Sequence, residues 1–74
     1  MMTLNDLTNM MWYVQEIMIF ETFPVGSDPE ELRKAAMLVC DNSELRSDTH
    51  KDIRNRYIQS FGAIDDFVIV TLKK

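Results

Sequence analysis

The chain has one cysteine, one histidine, two glycines and two prolines among its 74 residues. A single cysteine excludes an intrachain disulfide, so the disulfide-stapled scaffolds of small secreted proteins do not apply. One cysteine and one histidine cannot build a zinc site of the usual Cys/His type. The scarcity of glycine and proline excludes collagen-like and flexible low-complexity chains. We therefore expect a protein without metal or other cofactor, in a reducing compartment such as the cytoplasm.

Basic residues are missing from the first 32 positions, which hold six acidic residues, whereas the remainder holds eight basic and six acidic residues. With no Lys or Arg before Arg33, the positive n-region of a secretory signal is absent. The most apolar stretch, residues 10–20, contains Gln15 and Glu16 and is shorter than the roughly 20 residues that cross a bilayer. We expect a soluble protein that does not bind membranes. Docking of the acidic N-terminal half on a basic surface is one interpretation; the plainer one, which we prefer, is that Asp28, Glu30 and Glu31 are acids of a helical first turn.

Residues 4–20 predict the first helix. Thr3 precedes it as a side-chain cap, and Asp6 completes a short version of the capping box. Apolar residues recur at helical spacing along one face: Leu4, Leu7, Met11, Val14 and Met18. Other apolar residues flank or oppose that face, so the predicted helix is apolar nearly all round. Since a small domain has little material to cover such a helix, we expect its second apolar side to bind another protein.

The expected interface centres on Trp12, because tryptophan is a preferred hot-spot residue and contiguous exposed apolar surface usually marks an interface. The other members of the predicted interface are Met10, Tyr13, Ile19 and Phe20. The alternative is that the C-terminal segment folds over this side of the helix.

The run Asp28-Pro29-Glu30-Glu31 predicts the start of a second helix, with Asp28 as the N-cap and Pro29 at the first helical position. A narrow apolar stripe continues as far as Val39, and the Asp-Asn-Ser run at residues 41–43 predicts its end. A third helix is expected from Ser47 or Asp48 to Ser60. Its apolar residues are spaced by four: Ile53, Tyr57 and Phe61. Gly62 is placed to terminate this helix.

We therefore predict an all-α fold, a single domain over residues 1–74 built as a small bundle of three to four helices. The helix count depends on residues 64–72. Their apolar positions fall on one helical face with acids early and lysines late, which favours a helix. Their β-branched residues favour a strand instead, and its expected partner is the same strand of a second copy.

His50 and Cys40 are the strongest candidates for acid–base or nucleophilic chemistry. Each has a plainer interpretation: His50 as a solvated residue in a helical first turn, and Cys40 as a small buried hydrophobe. Since no second catalytic group accompanies them, we do not expect an enzyme.

Four basic residues suggest an alternative function in DNA binding through the third helix: Arg46, Lys51, Arg54 and Arg56. Arginine and lysine bind phosphates, and the second predicted helix, a turn and the third predicted helix resemble a helix-turn-helix in outline. Against this, the turn is long, Asp48 and Asp52 dilute the positive charge, and the chain carries a net charge of −4.

The first hypothesis is a non-enzymatic interaction module, a homodimer, that binds and regulates or inhibits a larger protein through the apolar face of the first helix. Its size suits a phage-encoded or bacterial accessory protein. The small DNA-binding regulator is the alternative.

Overall fold

The computed structural model describes residues 1–26, 28–64 and 66–74 of the chain. Within these residues the fold is mixed α/β, with a four-stranded sheet in the order β2-β1-β4-β3. The strands are β1 (Glu16–Phe20), β2 (Leu38–Asp41), β3 (Ile58–Ile64) and β4 (Phe67–Leu72). The helices are α1 (Leu4–Met10), α2 (Pro29–Ala35), α3 (Asn42–Leu45) and α4 (Lys51–Arg54), and a 3-10 turn over Asp48–His50 precedes α4.

Strand β1 lies inside the sheet. It pairs antiparallel with β2 and parallel with β4, so that Met18 stands between Val39 and Ile69. Strand β3 pairs antiparallel with the other side of β4 and forms one edge of the sheet. The first and last strands along the chain are therefore the two central strands of the sheet. This pairing brings the N-terminal and C-terminal parts of the domain into one core.

The prediction of an all-α bundle is wrong, and the first predicted helix shows why. Helix α1 ends at Met10, and residues 16–20 form β1 instead. Ile17 to Phe20 are all buried, because both faces of this strand are covered. A strand buried on both faces has a continuous apolar run without alternation, and such a run cannot be told from a buried helix by periodicity.

The other predicted helices are too long for the same reason. The second ends at Ala35, and the chain then forms β2. The third is only a 3-10 turn and the four-residue α4, and it gives way to β3. Residues 67–72 form a strand, β4, which is the alternative left open above. Its partners are β1 and β3 of the same chain, so the expected pairing of this strand with its own copy is wrong.

Three helices cover one face of the sheet, which we call the helical face. Leu4 and Leu7 of α1 and Leu45 of α3 pack there, with partly buried Ile53 of α4 at the margin. They meet the inward-facing residues of the strands: Ile17, Ile19, Cys40, Ile58, Val70 and Leu72. This larger cluster holds the two ends of the chain together.

In the part of the chain that the structure describes, α2 is the only helix packed on the opposite face, which we call the α2 face. Its buried Leu32 packs with Met18, Phe20 and Ile69. Arg33 pairs with Glu16 and lies 5.2 Å from the centroid of the Phe67 ring. A seven-residue helix cannot cover four strands, so the part of this face beside β3 is left open.

No helix in the described ranges is long and apolar enough to cross a membrane.

Candidate protein-interaction surface

The loop between α1 and β1 carries the most exposed aromatic side chain of the described residues. The exposed fraction is 96% for Trp12, 69% for Tyr13, 64% for Val14 and 52% for Met10. We call residues 10–14 the aromatic loop. Burying a tryptophan and a tyrosine removes a large apolar area from water, so leaving both in solvent is unfavourable for an isolated domain.

Asn42 fixes the main chain of the aromatic loop. Its side chain is buried, its Oδ1 accepts the N–H of Gln15 at 2.9 Å, and its Nδ2 donates to the carbonyl of Tyr13 at 3.3 Å. The N–H of Asn42 also donates to the carbonyl of Gln15 at 3.3 Å. These bonds continue the β1–β2 ladder by one residue and leave the side chains of Trp12 and Tyr13 in solvent.

The other end of the aromatic loop is anchored at the C-terminus of α1. The N–H of Met11 donates to the carbonyl of Thr8 at 3.3 Å, and the guanidinium of Arg46 donates to the same oxygen. Thr8 itself is fully buried, and its hydroxyl donates to the carbonyl of Asn5 at 2.8 Å. The loop is therefore held on both sides by contacts with buried polar groups.

The structure separates the residues that the sequence placed on one interface. Met10, Trp12 and Tyr13 are exposed, but Ile19 and Phe20 lie in β1 and are 0% and 3% exposed. The continuous helix that would have put Ile19 beside Trp12 does not form, because the chain leaves helical geometry at Met11. Ile19 and Phe20 are core residues and are not available to a partner.

Val14 is an exposed apolar residue that the sequence assigned to the core of a helix. It lines a shallow cavity of about 370 Å³ together with Glu16, Asp41 and Glu44. These three carboxylates give one side of the aromatic loop an acidic border. The acidic bias of the N-terminal half was the signal in the sequence for this acidic border. The contribution of Asp41 and Glu44 depends on strand pairing that the sequence did not predict.

A second exposed apolar area, also missed by the sequence, lies along strand β3, beside the open part of the α2 face. Phe23 is 73% exposed and Phe61 is 55% exposed. They line a groove of about 220 Å³ between the loop after β1 and strand β3. Pro24 and Gly26 line it from the loop, and the last two strands contribute its other lining residues: Ser60, Gly62, Ala63, Ile64, Ile69 and Thr71.

The four basic residues of the DNA-binding alternative do not share one helix. Arg46 follows α3 and binds the Thr8 carbonyl, and Arg54 Nη1 donates to the carbonyl of Arg46 at 2.9 Å. Arg56 pairs with Glu21 at 3.1 Å. Lys51 begins α4. Because three of the four guanidinium or ammonium groups hold the chain itself, this arrangement gives no observation that favours binding to DNA.

The two candidates for chemistry are also placed apart. Cys40 is buried in β2, and its burial, reinforced by the nearby Glu44 and Asp41 carboxylates, raises the pKa of the thiol to about 11. A thiol with such a pKa is a poor nucleophile at neutral pH. His50 lies in the 3-10 turn, on another segment. Among residues 1–26, 28–64 and 66–74, no three His, Cys, Asp or Glu side chains are grouped so that they could hold a metal ion.

The chain matches no protein-family model, no curated protein and no solved structure in comparisons with each. The functional argument therefore depends on the surface of the molecule.

Proposed function

We propose that this chain is a small, non-enzymatic interaction module that binds a larger protein through its aromatic loop and so regulates or inhibits it. The proposal includes a homodimer as the working form. It also includes a cytoplasmic location, which suits a chain whose one cysteine is a free, buried thiol. The observation that carries the proposal is Trp12, 96% exposed on a main chain that Asn42 holds in place.

The energetics of binding support this use of the loop. Tryptophan and tyrosine bring large, rigid apolar surfaces with few rotatable bonds, so little side-chain entropy is lost when a partner covers them. A loop already fixed by hydrogen bonds to Asn42 avoids a further ordering cost on binding. An exposed Trp12 therefore contributes almost no burial energy to the free protein and offers a partner a large apolar surface to cover.

The charges around the loop indicate what kind of partner would fit. Glu16, Asp41 and Glu44 border it on the side of Val14, and Glu16 is already paired with Arg33. A partner surface with an apolar pocket for Trp12 and lysine or arginine at its rim would match both features. Opposite charges at the rims of the two surfaces raise the association rate, and added salt lowers it again because it screens those charges.

The test is a comparison of Trp12→Glu with Val25→Glu. Val25 is 95% exposed in a different loop, so the control adds the same charge at the same exposure. Both variants and the wild-type chain are immobilised, and proteins retained from the source lysate are quantified by mass spectrometry. We expect a partner that the wild-type and Val25→Glu chains retain and the Trp12→Glu chain loses.

For the purified partner, calorimetry with the folded Trp12→Glu variant should show an affinity at least about 30-fold weaker, as expected for a hot-spot tryptophan. Equal retention by Trp12→Glu and wild type would contradict the proposal.

A further inference from the structure

Strand β3 forms an edge of the sheet, and only its first part is covered. The N-terminal segment lies along that part, where the N–H of Ile58 donates to the carbonyl of Met2 at 2.9 Å. The N–H of Leu4 donates in turn to the carbonyl of Arg56 at 3.0 Å. From Ser60 to Ile64, no strand in the described part of the chain pairs with the outer side of β3.

The open part of this edge lacks the features that usually keep sheet edges apart. Residues 58–64 contain no charged residue and no proline, whereas exposed edges are normally protected by lysine, proline, a bulge or short length. The one irregularity in its pairing with β4 lies between Ile58 and Ser60, next to the part that the N-terminal segment covers. Ser60 to Ile64 is therefore a regular strand that is free to pair.

We infer that this edge pairs antiparallel with the same edge of a second copy, centred on Gly62. The inference rests on the homodimer in the proposed function and names its interface. In this register Ser60 lies opposite Ile64 of the other copy, and Phe61 lies opposite Ala63. Each pair joins a large side chain to a small one, as side-chain packing across paired strands requires.

Glycine at position 62 has no explanation within one chain. Of the two glycines only Gly26 has a positive φ, and a Cβ added to Gly62 would meet no atom within 4 Å. Glycine inside a strand weakens it, and often marks a place where another backbone approaches closely. A dimer axis at Gly62 puts the second backbone at this position.

Charge favours a second copy as the occupant of this edge. The uncharged run, residues 57–64, is preceded in the sequence by Arg56 and followed by Asp65 and Asp66. In an antiparallel pair the Arg56 end of each strand lies near the acidic end of the other, and Arg56, which is paired with Glu21 of its own chain but still partly exposed, is then shared between the two copies. In such a dimer the exposed Phe61 lies beside Ala63 of the second copy.

Sedimentation velocity over a range of concentrations tests the inference with Ala63→Lys and a matched control, Ala35→Lys. Both alanines are exposed, but Ala35 lies at the end of α2, away from the edge. The wild-type chain and Ala35→Lys should form a dimer with the same dissociation constant. Ala63→Lys should raise that constant at least about tenfold, because it brings two lysines onto one face of the paired strands, about 7–8 Å apart.

Oxidation of Gly62→Cys checks the register. Residues directly opposite on antiparallel strands have Cα atoms about 4.5–5.5 Å apart, which a disulfide can span. Gly62→Cys should give a covalent dimer on a non-reducing gel, whereas the wild-type chain, whose Cys40 is buried, and Ala35→Cys should not.

A wild-type chain that stays monomeric up to about 1 mM would overturn both this inference and the homodimer. A dimer that Ala63→Lys leaves intact and Gly62→Cys does not cross-link would overturn the β3 interface alone. The binding of a larger protein through Trp12 is tested by the retention experiment above and does not depend on either of these results.

Discussion

The two faces of the sheet are closed to different extents. Among the described residues, α1 and α3 form a cluster of nine buried residues with the strands on the helical face, with Ile53 of α4 at its margin, whereas on the α2 face Leu32 and the strands form a cluster of four. The larger cluster draws on both ends of the chain and holds the domain together. Two groups of exposed apolar residues lie where this coverage stops, in the aromatic loop and beside β3. In a domain of this size, the residues that cover one face of the sheet are not available to cover the other. The candidate interaction surfaces therefore lie where the sheet is less covered.

The largest expected effect comes from equal substitutions on the two faces. Leu45→Ala on the helical face should lower the free energy of unfolding by about 2–5 kcal/mol, because Leu45 is fully buried among residues from several elements. Leu32→Ala on the α2 face should cost near the lower end of that range. Helix α2 is short and can shift toward the sheet, and a cavity that collapses costs less. Urea denaturation of both variants gives the two values.

Amide hydrogen exchange tests whether the two faces open independently. Leu32→Ala should speed exchange within α2 while the amides of β4 stay protected, since α2 contributes little to the larger cluster. Equal costs for the two substitutions, with equal loss of protection throughout, would mean that the two faces unfold as one unit and that the contrast between them has no energetic meaning.

The next largest effect on stability is expected from substitution of Asn42, the buried residue that holds the main chain of the aromatic loop. Asn42→Ala should cost about 1–3 kcal/mol, because the N–H of Gln15 and the carbonyl of Tyr13 lose their partner. The matched substitution Asn9→Ala, at an exposed position, should change stability by less than about 0.5 kcal/mol. Urea denaturation measures both.

The same Asn42→Ala variant connects stability to the proposed function. Freed from Asn42, the aromatic loop should lose affinity for its partner although Trp12 is unchanged, because the loop must then be ordered on binding. Full affinity in Asn42→Ala would show that the fixed main chain contributes nothing to recognition.

Local signals in the sequence predicted the starts of helices and failed at their ends. The capping box of Thr3 with Asp6 and the cap at Asp28 with Pro29 are confirmed. Both depend on residues three or fewer positions apart, so the sequence contains all the information they need. The ends of α1 and α2 depend instead on strand pairing between distant segments, such as Ile17 with Val68. That pairing removed two of the five predicted interface residues from the surface.

The β3 edge was beyond sequence reasoning for a related physical reason. Residues 58–64 contain glycine, serine and glutamine among a few apolar residues, a composition with weak strand propensity. Phe61 and Gly62 therefore looked like the end of a helix. Pairing with β4, whose β-branched residues have strong propensity, draws this segment into the sheet.

The smallest expected effect is the pH dependence of the α1 cap on the helical face. The carboxylate of Asp6 accepts the backbone N–H of Thr3 at 2.9 Å, and the Thr3 hydroxyl accepts the N–H of Asp6 at 3.1 Å. These bonds, the backbone one above all, lower the pKa of Asp6 below its usual 3.8. A carboxyl whose pKa is lower in the folded state stabilises the fold above the unfolded pKa, and this contribution is lost as pH falls through the folded pKa.

Asp6→Asn isolates this contribution, because the amide keeps an acceptor oxygen but has no charge to lose. Urea midpoints of the wild-type chain and the variant, measured between neutral pH and acid, should differ by a constant amount above pH 3.8 and converge below it. The carboxylate is fully exposed, so the difference should also shrink with added salt. A gap that stays constant into strong acid would mean that the charge of Asp6 does not stabilise α1, and that the helix is held by its other contacts, such as the Thr3 hydroxyl cap and the burial of Leu4 and Leu7.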